Sequence, residues 1–305
     1  MNQHLAILGA GSLGLLYASR LARTGRSVTL LTRPQRAAEL SLGVALKESP
    51  AGLGKRQFMR VMTRPEDVVP VDCLLVATKA GQAAAAVQDW QSALAEDAQL
   101  LLLQNGMGSQ AEVASQLGPQ QTLLAASVTE GAYLENPTTV VHAGKGKTQL
   151  GRWSGPDKGA ALAWVSRLTA AGLEAELAEP IRPVLWHKLA LNAVINPLTA
   201  VHRVENGALA GREFRSQVQT LVDEVLTVFK RLGIPEPEGG LSYRVEQVIL
   251  ATATNRSSML QDVLAGRPTE IDYITGALLK AARPFKVSLP VSQALYQQIK
   301  AGVSP

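Results

Sequence analysis

Short apolar runs alternate with helix-length stretches through the first half of the chain. Leu5 to Leu8, Val28 to Leu31, Cys73 to Ala77 and Leu100 to Leu103 have the length and composition of strands, and helical spacing fills about 13–23 and 82–94. Alternation of this kind predicts βαβ units around a parallel sheet. Further strands are expected at Leu123 to Val128, Thr138 to His142 and Thr148 to Gly151, then a helix over 159–171 and a strand from Glu174 to Leu177. At Glu179-Pro180-Ile181-Arg182-Pro183 the pattern changes, and beyond it only helical spacing remains. Glu213 to Leu232 sets Phe214, Val218, Leu221, Val222, Val225 and Phe229 at amphipathic spacing and is closed by Gly233, with Pro235 just beyond. Later helices are expected at about 241–254, 258–264, 270–285 and 291–301. The predicted architecture is an α/β domain over 1–179 followed by an all-helical domain over 180–305.

Composition narrows the class. A chain of 305 residues that is 46% hydrophobic has material for two real cores. Its net charge of +5 comes from 30 basic and 25 acidic residues dispersed along the sequence. There are no Lys/Arg blocks with interleaved aromatics, so the balance fits an anionic small ligand better than nucleic acid. Cys73 is the single cysteine, which excludes an intramolecular disulfide and a cysteine-based metal site. Met1-Asn2-Gln3-His4 runs straight into the first strand with no export-signal pattern, and no apolar run approaches the roughly 18 residues of a membrane span. The expected location is the cytoplasm, and the expected partner is a small molecule, with neither membrane nor nucleic acid. Monomer and homodimer both fit the composition.

Gly9-Ala10-Gly11-Ser12-Leu13-Gly14 is G-x-G-x-x-G, directly after an apolar strand and opening a helix. In that context the motif predicts a Rossmann-type dinucleotide-binding domain. Gly9 makes the tight turn, Gly11 lets backbone N–H groups approach a pyrophosphate, and Gly14 lets helix and strand pack closely. After the second strand an NAD enzyme carries Asp or Glu, whereas this chain carries Arg33, with Arg36 nearby. A guanidinium binds a 2′-phosphate that a carboxylate would repel, so the expected cofactor is NADP(H); a solvated loop arginine is the plainer reading of Arg33. Two further strands end in polar residues, Thr78-Lys79 and Gln104-Asn105-Gly106-Met107-Gly108. Ligands on open α/β sheets bind outside the carboxyl ends of the strands, which makes Lys79 and Asn105 candidates, although most strands end in polar residues because loops are wet. Gly144-Lys145-Gly146-Lys147 lacks P-loop spacing and reads as a basic hairpin turn.

In the helical half, Lys188, Asn192 and Asn196 fall four residues apart in an otherwise apolar segment. At 3.6 residues per turn an amine and two amides line one edge of a helix whose other sides want burial. Such a line suggests contact with something polar and enclosed; the plainer account is a snorkelling lysine with amides bonded to backbone. Ser258 at the start of a helix, and Glu270 in an expected first helical turn, both admit capping explanations.

Taken together, the glycine motif, Lys79, Asn105-Gly106-Met107-Gly108, the run from Lys188 to Ala200, Asn206-Gly207, Ser258-Met259-Leu260-Gln261-Asp262 and Thr269-Glu270-Ile271-Asp272-Tyr273 closely resemble ketopantoate reductase (2-dehydropantoate 2-reductase). The resemblance covers nearly the whole chain in order, and the helical stretches are its more specific part. It implies NADPH-dependent reduction of 2-dehydropantoate to (R)-pantoate, a step towards pantothenate and coenzyme A. It also implies a Rossmann domain joined to a helical domain like the C-terminal domain of 6-phosphogluconate dehydrogenase, with the active site between them. By the same resemblance Lys188 is the general acid, and Asn192, Asn196, Asn206 and Ser258 contact substrate. Asn105 serves cofactor and substrate, while Lys79, Ala132 and Glu270 lie near the cofactor and Arg33 takes the 2′-phosphate. Around Ala132 the local sequence departs from the family pattern. For Glu270, pairing with Lys188, holding a substrate hydroxyl and contacting the nicotinamide end all remain open. The alternatives are a sibling NADP-dependent reductase of another small 2-oxo or branched hydroxy acid, and an NADP(H)-sensing protein without chemistry.

Overall fold

The computed structural model describes residues 3–156 and 158–302; Met1 and Asn2, read above as leading into the first strand, lie outside these. The chain forms two compact units, Met1–Gln104 with Ser109–Arg182, and Asn105–Gly108 with Pro183–Pro305. The sequence reading keeps Asn105–Gly108 in the first domain. The structure groups it with the second, where Met107 N–H donates to the Tyr273 carbonyl at 2.8 Å.

In chain order the first unit contains β1 (Leu5–Leu8), α1 (Ser12–Ala22), β2 (Val28–Leu31), α2 (Pro34–Leu40), β3 (Val44–Lys47), β4 (Lys55–Gln57), β5 (Arg60–Met62), β6 (Val71–Val76), α3 (Ala80–Asp89), β7 (Leu94–Leu102), α4 (Ser109–Ala114), β8 (Thr122–Val128), β9 (Gly131–Asn136), β10 (Thr139–Gly144), β11 (Lys147–Ser154), α5 (Ala160–Ala170) and β12 (Glu174–Leu177). Eight strands form one sheet in the order β12-β11-β8-β7-β6-β1-β2-β5. Its pairings are parallel except β8 with β11. The fully apolar run of β1 follows from burial on both faces. Leu5 and Ile7 pack with Leu15 and Leu16 of α1, while Ala6 and Leu8 pack with Ala83 and Val87 of α3. This is the Rossmann arrangement that the alternation predicts.

A second sheet, β4-β3-β10-β9, is absent from the sequence reading except for β10. Its edge strand β4 is three residues of Lys55, Arg56 and Gln57, which carry no apolar run; pairing with β3, not local periodicity, makes them a strand. The same reason hides β5, which begins at the exposed Arg60 and pairs with β2. A chain of polar contacts fixes the small sheet to α1. Arg20 Nη2 donates to Glu48 Oε2 at 2.5 Å and meets His142 Nδ1 at 3.0 Å. His142 Nε2 lies 2.6 Å from buried Glu130 Oε2, which also accepts Gly146 N–H at 3.1 Å. Gly144-Lys145-Gly146-Lys147 is therefore not a hairpin turn. It carries the chain from β10 in the small sheet to β11 in the large one, crossing so close to Thr129 that a Cβ on Gly146 would lie 2.3 Å from its backbone. The helix expected over 82–94 also stops early at Asp89, and the strand expected at Leu100 already begins at Leu94, where exposed Glu96 and Asp97 mask its apolar signal.

The second unit consists of α6 (Ile181–His202), α7 (Arg215–Leu232), α8 (Leu241–Ala251), α9 (Ser258–Leu264), α10 (Thr275–Ala282) and α11 (Pro290–Lys300), with the first residues of α6 belonging to the other unit. Leu189, Val194, Leu198, Val225, Phe229 and Leu278 belong to a single core. Gly233 closes α7 at φ +67°, a conformation that favours glycine. Buried Glu224 of α7 accepts the N–H groups of Val291 and Ser292, at 2.8 and 2.9 Å, in the first turn of α11. The helix expected from 270 begins only at Thr275. Glu270 instead opens an isolated turn, its carbonyl accepting Tyr273 N–H and Ile274 N–H, and Ile274 at φ −103°, ψ −84° breaks the helix. Among the described residues, no helix is long and apolar enough to cross a membrane.

Candidate active site

The glycine turn of the first unit has the geometry of a nucleotide cradle. Gly9 sits at φ +105°, and a Cβ there would come within 2.9 Å of the Ala77–Thr78 backbone; one at Gly14 would lie 1.9 Å from the Gly9 carbonyl oxygen. Only glycine allows this packing. Gly11 differs: a Cβ there meets nothing within 4 Å, so the turn leaves the space above Gly11 open. Helix α1 starts immediately afterwards, with no side-chain cap at Gly11, and its first N–H groups and dipole favour a phosphate. Ala10 is buried, whereas Ser12 and Leu13 are half-buried.

Arg33 and Lys79 sit at the same ends of the strands of the large sheet. Arg33 follows β2 and is exposed; its carbonyl accepts Ala37 N–H in α2, and its guanidinium has no partner among the described residues. Lys79 follows β6 and is exposed at the head of α3. Beside it, Thr78 touches Gly9 and buries Oγ1 with no hydrogen-bond partner among the described residues. Ala132 is half-buried on β9 opposite His142 and packs on the same core as α1. These features fit a dinucleotide: an open glycine, an uncapped helix start, an orphaned hydroxyl and two exposed cations.

The second unit gathers the other candidates. Lys188 and Asn192 are half-buried and Asn196 is buried, so the line along α6 grows more enclosed towards Pro197. Pro197 has no N–H for the Ala193 carbonyl, which loosens the helix ladder beside Asn196. Burial brings the Lys188 amine down to about 8 from 10.5, against an opposing pull from the Glu270 carboxylate. Glu270 Oε2 accepts a hydrogen bond from Asn105 Nδ2 at 3.3 Å, so the structure brings Lys188, Glu270 and Asn105 together. Gly106 is required beside them at φ +84°, since a Cβ would lie 2.1 Å from the Tyr273 carbonyl oxygen.

Asn206 begins a short 3-10 turn, where its N–H donates to the Asn255 carbonyl at 2.9 Å and its Nδ2 to Thr252 Oγ1 at 2.9 Å. Its Oδ1 is buried without a partner among the described residues, an acceptor suited to a ligand hydroxyl. Ser258, exposed, occupies the first turn of α9, capped by Ser257, whose Oγ accepts Leu260 N–H at 3.1 Å.

Sequence reasoning missed the residue that organises these pieces. Thr199, one helical turn past Asn196, shares a hydrogen bond with the Ser257 hydroxyl at 2.7 Å and so ties the α6 line to the α9 start that carries Ser258. A buried threonine on an apolar helix next to the amide line was the available signal.

A parallel sheet bearing a glycine turn, joined in one chain to a helical unit with a lysine of lowered pKa among amides, defines the class of NAD(P)-dependent oxidoreductases. Family models then specify it: Ketopantoate reductase PanE/ApbA matches residues 5–155, and Ketopantoate reductase PanE/ApbA C terminal matches 180–303. A curated relative from Vibrio cholerae, named 2-dehydropantoate 2-reductase, is 36% identical over 97% of this chain and 97% of its own. The solved PanE/ApbA family ketopantoate reductase from Ralstonia eutropha JMP134 superposes with a TM-score of 0.89 at 26% identity, covering 98% of both chains. A D-mandelate dehydrogenase solved with NADH and anilino(oxo)acetate shares the fold at a TM-score of 0.87 and 24% identity, over 99% of this chain and 98% of its own. The chain belongs to the ketopantoate reductase PanE/ApbA family.

Proposed function

We propose that this protein reduces 2-dehydropantoate to (R)-pantoate with NADPH, a step towards pantothenate and coenzyme A, with residues 1–179 holding the nucleotide and 180–305 the reacting groups. The observation that carries the reading is the half-buried Lys188, its pKa brought to about 8, at the head of an amide line and under the pull of Glu270. The nucleotide supplies a hydride to the C2 carbonyl. Negative charge then develops on the carbonyl oxygen, and an ammonium facing it stabilises that charge and donates the proton. A pKa near 8 keeps Lys188 mostly charged at neutral pH while making it a far better acid than free lysine.

Asn192 and Asn196 offer neutral donors for the substrate carboxylate, so they orient it without opposing the ammonium. Asn206 Oδ1 accepts the substrate hydroxyl, and Ser258 adds a second polar contact. Glu270 raises the Lys188 pKa against desolvation and holds Asn105, which serves both ligands. In the nucleotide part, Gly9, Ala10, Gly11, Ser12, Leu13 and Gly14 cradle the pyrophosphate. Arg33 takes the 2′-phosphate, and Lys79 and Ala132 line the nucleotide. The test is steady-state oxidation of NADPH with 2-dehydropantoate, pyruvate, 2-oxoisovalerate and 3-hydroxyisobutyrate (the last assayed with NADP). The expected result is the highest kcat/KM with 2-dehydropantoate and with NADPH over NADH. A higher value with another acid would reassign the substrate, and binding of NADPH without turnover of any acid would make the chain a nucleotide sensor.

A further inference from the structure

Arg36 stands one helical turn beyond Arg33 and differs from it in having every guanidinium nitrogen committed. Nε and Nη2 both donate to the Ala10 carbonyl, at 3.2 and 3.1 Å. Nη2 also donates to the Pro137 carbonyl at 2.6 Å, and Nη1 pairs with Glu39. One half-buried side chain thus joins α2, the turn between β9 and β10, and the middle of the glycine turn. The contact on Ala10 bears on nucleotide binding because of peptide geometry. In a planar trans peptide the C=O and the following N–H point in opposite directions, so clamping the Ala10 carbonyl fixes the direction of the Gly11 N–H. Gly11 is the glycine with open space above it; Gly9 and Gly14 are held by close packing, whereas no side chain packs over Gly11 to fix the peptide that precedes it.

We propose that Arg36 is a positioning residue that locks the Ala10–Gly11 peptide for the pyrophosphate, while Arg33 alone distinguishes NADPH from NADH. Arg36 therefore contributes equally to both nucleotides. The proposal rests on the reading that the nucleotide occupies this turn, and the experiment separates the two.

Dissociation constants for NADPH and for NADH are measured by calorimetry on Arg36→Gln, Arg36→Lys, Arg33→Gln and Gly11→Val. Amide hydrogen exchange of the nucleotide-free proteins is followed in parallel. Arg36→Gln is expected to weaken both nucleotides by the same factor, about tenfold, and to speed exchange at Gly11 and Ser12. Arg36→Lys restores part of the loss, because one ammonium cannot fork onto both carbonyls. Arg33→Gln weakens NADPH alone. A loss confined to NADPH in Arg36→Gln makes Arg36 a phosphate reader and overturns the proposal. So do unchanged affinities in Arg36→Gln while Gly11→Val, whose side chain has room in the protein, abolishes binding. Unchanged affinities in Gly11→Val overturn the reading of the turn and the proposal with it.

Discussion

If Lys188 is the proposed acid, its lowered pKa sets the pH dependence of the reaction. The perturbation is pH itself, applied to the wild type and to Lys188→Arg. With a pKa of about 8, about nine-tenths of the amine is ammonium at pH 7 and about one-tenth at pH 9. If the ammonium is the acid, kcat/KM for 2-dehydropantoate is level below about pH 7 and falls roughly tenfold per unit well above about 8. A lysine left at its ordinary 10.5 would still be almost wholly charged at pH 9, so the two cases differ there by about tenfold. Lys188→Arg keeps its charge throughout, is a poor acid, and is expected to turn over slowly without the alkaline limb. The assay is initial-rate loss of NADPH absorbance from pH 6 to 10 with the nucleotide saturating. A wild-type profile that stays flat to pH 10, or a limb that persists in Lys188→Arg, would refute the reasoning. Stability follows with a definite sign. The folded pKa lies below the unfolded one, so the unfolded chain binds more protons between about 8 and 10.5, and this residue's contribution to stability rises with pH across that window.

Three further outcomes are expected. Glu270→Gln removes the pull that raises the Lys188 pKa, so the alkaline limb should move to lower pH; a limb that stays put would separate the two side chains. Thr199→Val loses the bond to Ser257 and should raise KM for the 2-oxo acid several-fold, with NADPH affinity unchanged and a cost of about 1 kcal/mol in a denaturant titration. Glu130→Ala leaves His142 Nε2 and the Gly146 N–H unpaired in a buried site and should destabilise the fold by roughly 3 kcal/mol in the same titration.

What could be read from the sequence was what local geometry decides. The glycine turn is legible because Gly14 is forced by the Gly9 carbonyl within one strand-turn-helix unit and Gly9 by its positive φ, although the atoms a Cβ on Gly9 would meet belong to the neighbouring strand end at Ala77–Thr78. The line of Lys188, Asn192 and Asn196 is legible because helical periodicity alone places it. The small sheet was not, since Lys55, Arg56 and Gln57 become a strand only by pairing with β3. Glu270 was read as the start of a helix because its neighbours suit one, and the break at Ile274 depends on packing that no local pattern encodes. The contacts of Thr199 with Ser257, of Glu224 with α11 and of Arg36 with Ala10 join segments far apart in sequence, so the residue types suggest capping or solvation until the partners are seen.

The account stands most directly on the ammonium at position 188, and Lys188→Ala tests it with two readings on one protein. Turnover of 2-dehydropantoate should fall by about two orders of magnitude or more, while the dissociation constant for NADPH changes little. Near-normal turnover in that variant would contradict the acid role and the mechanism built on it.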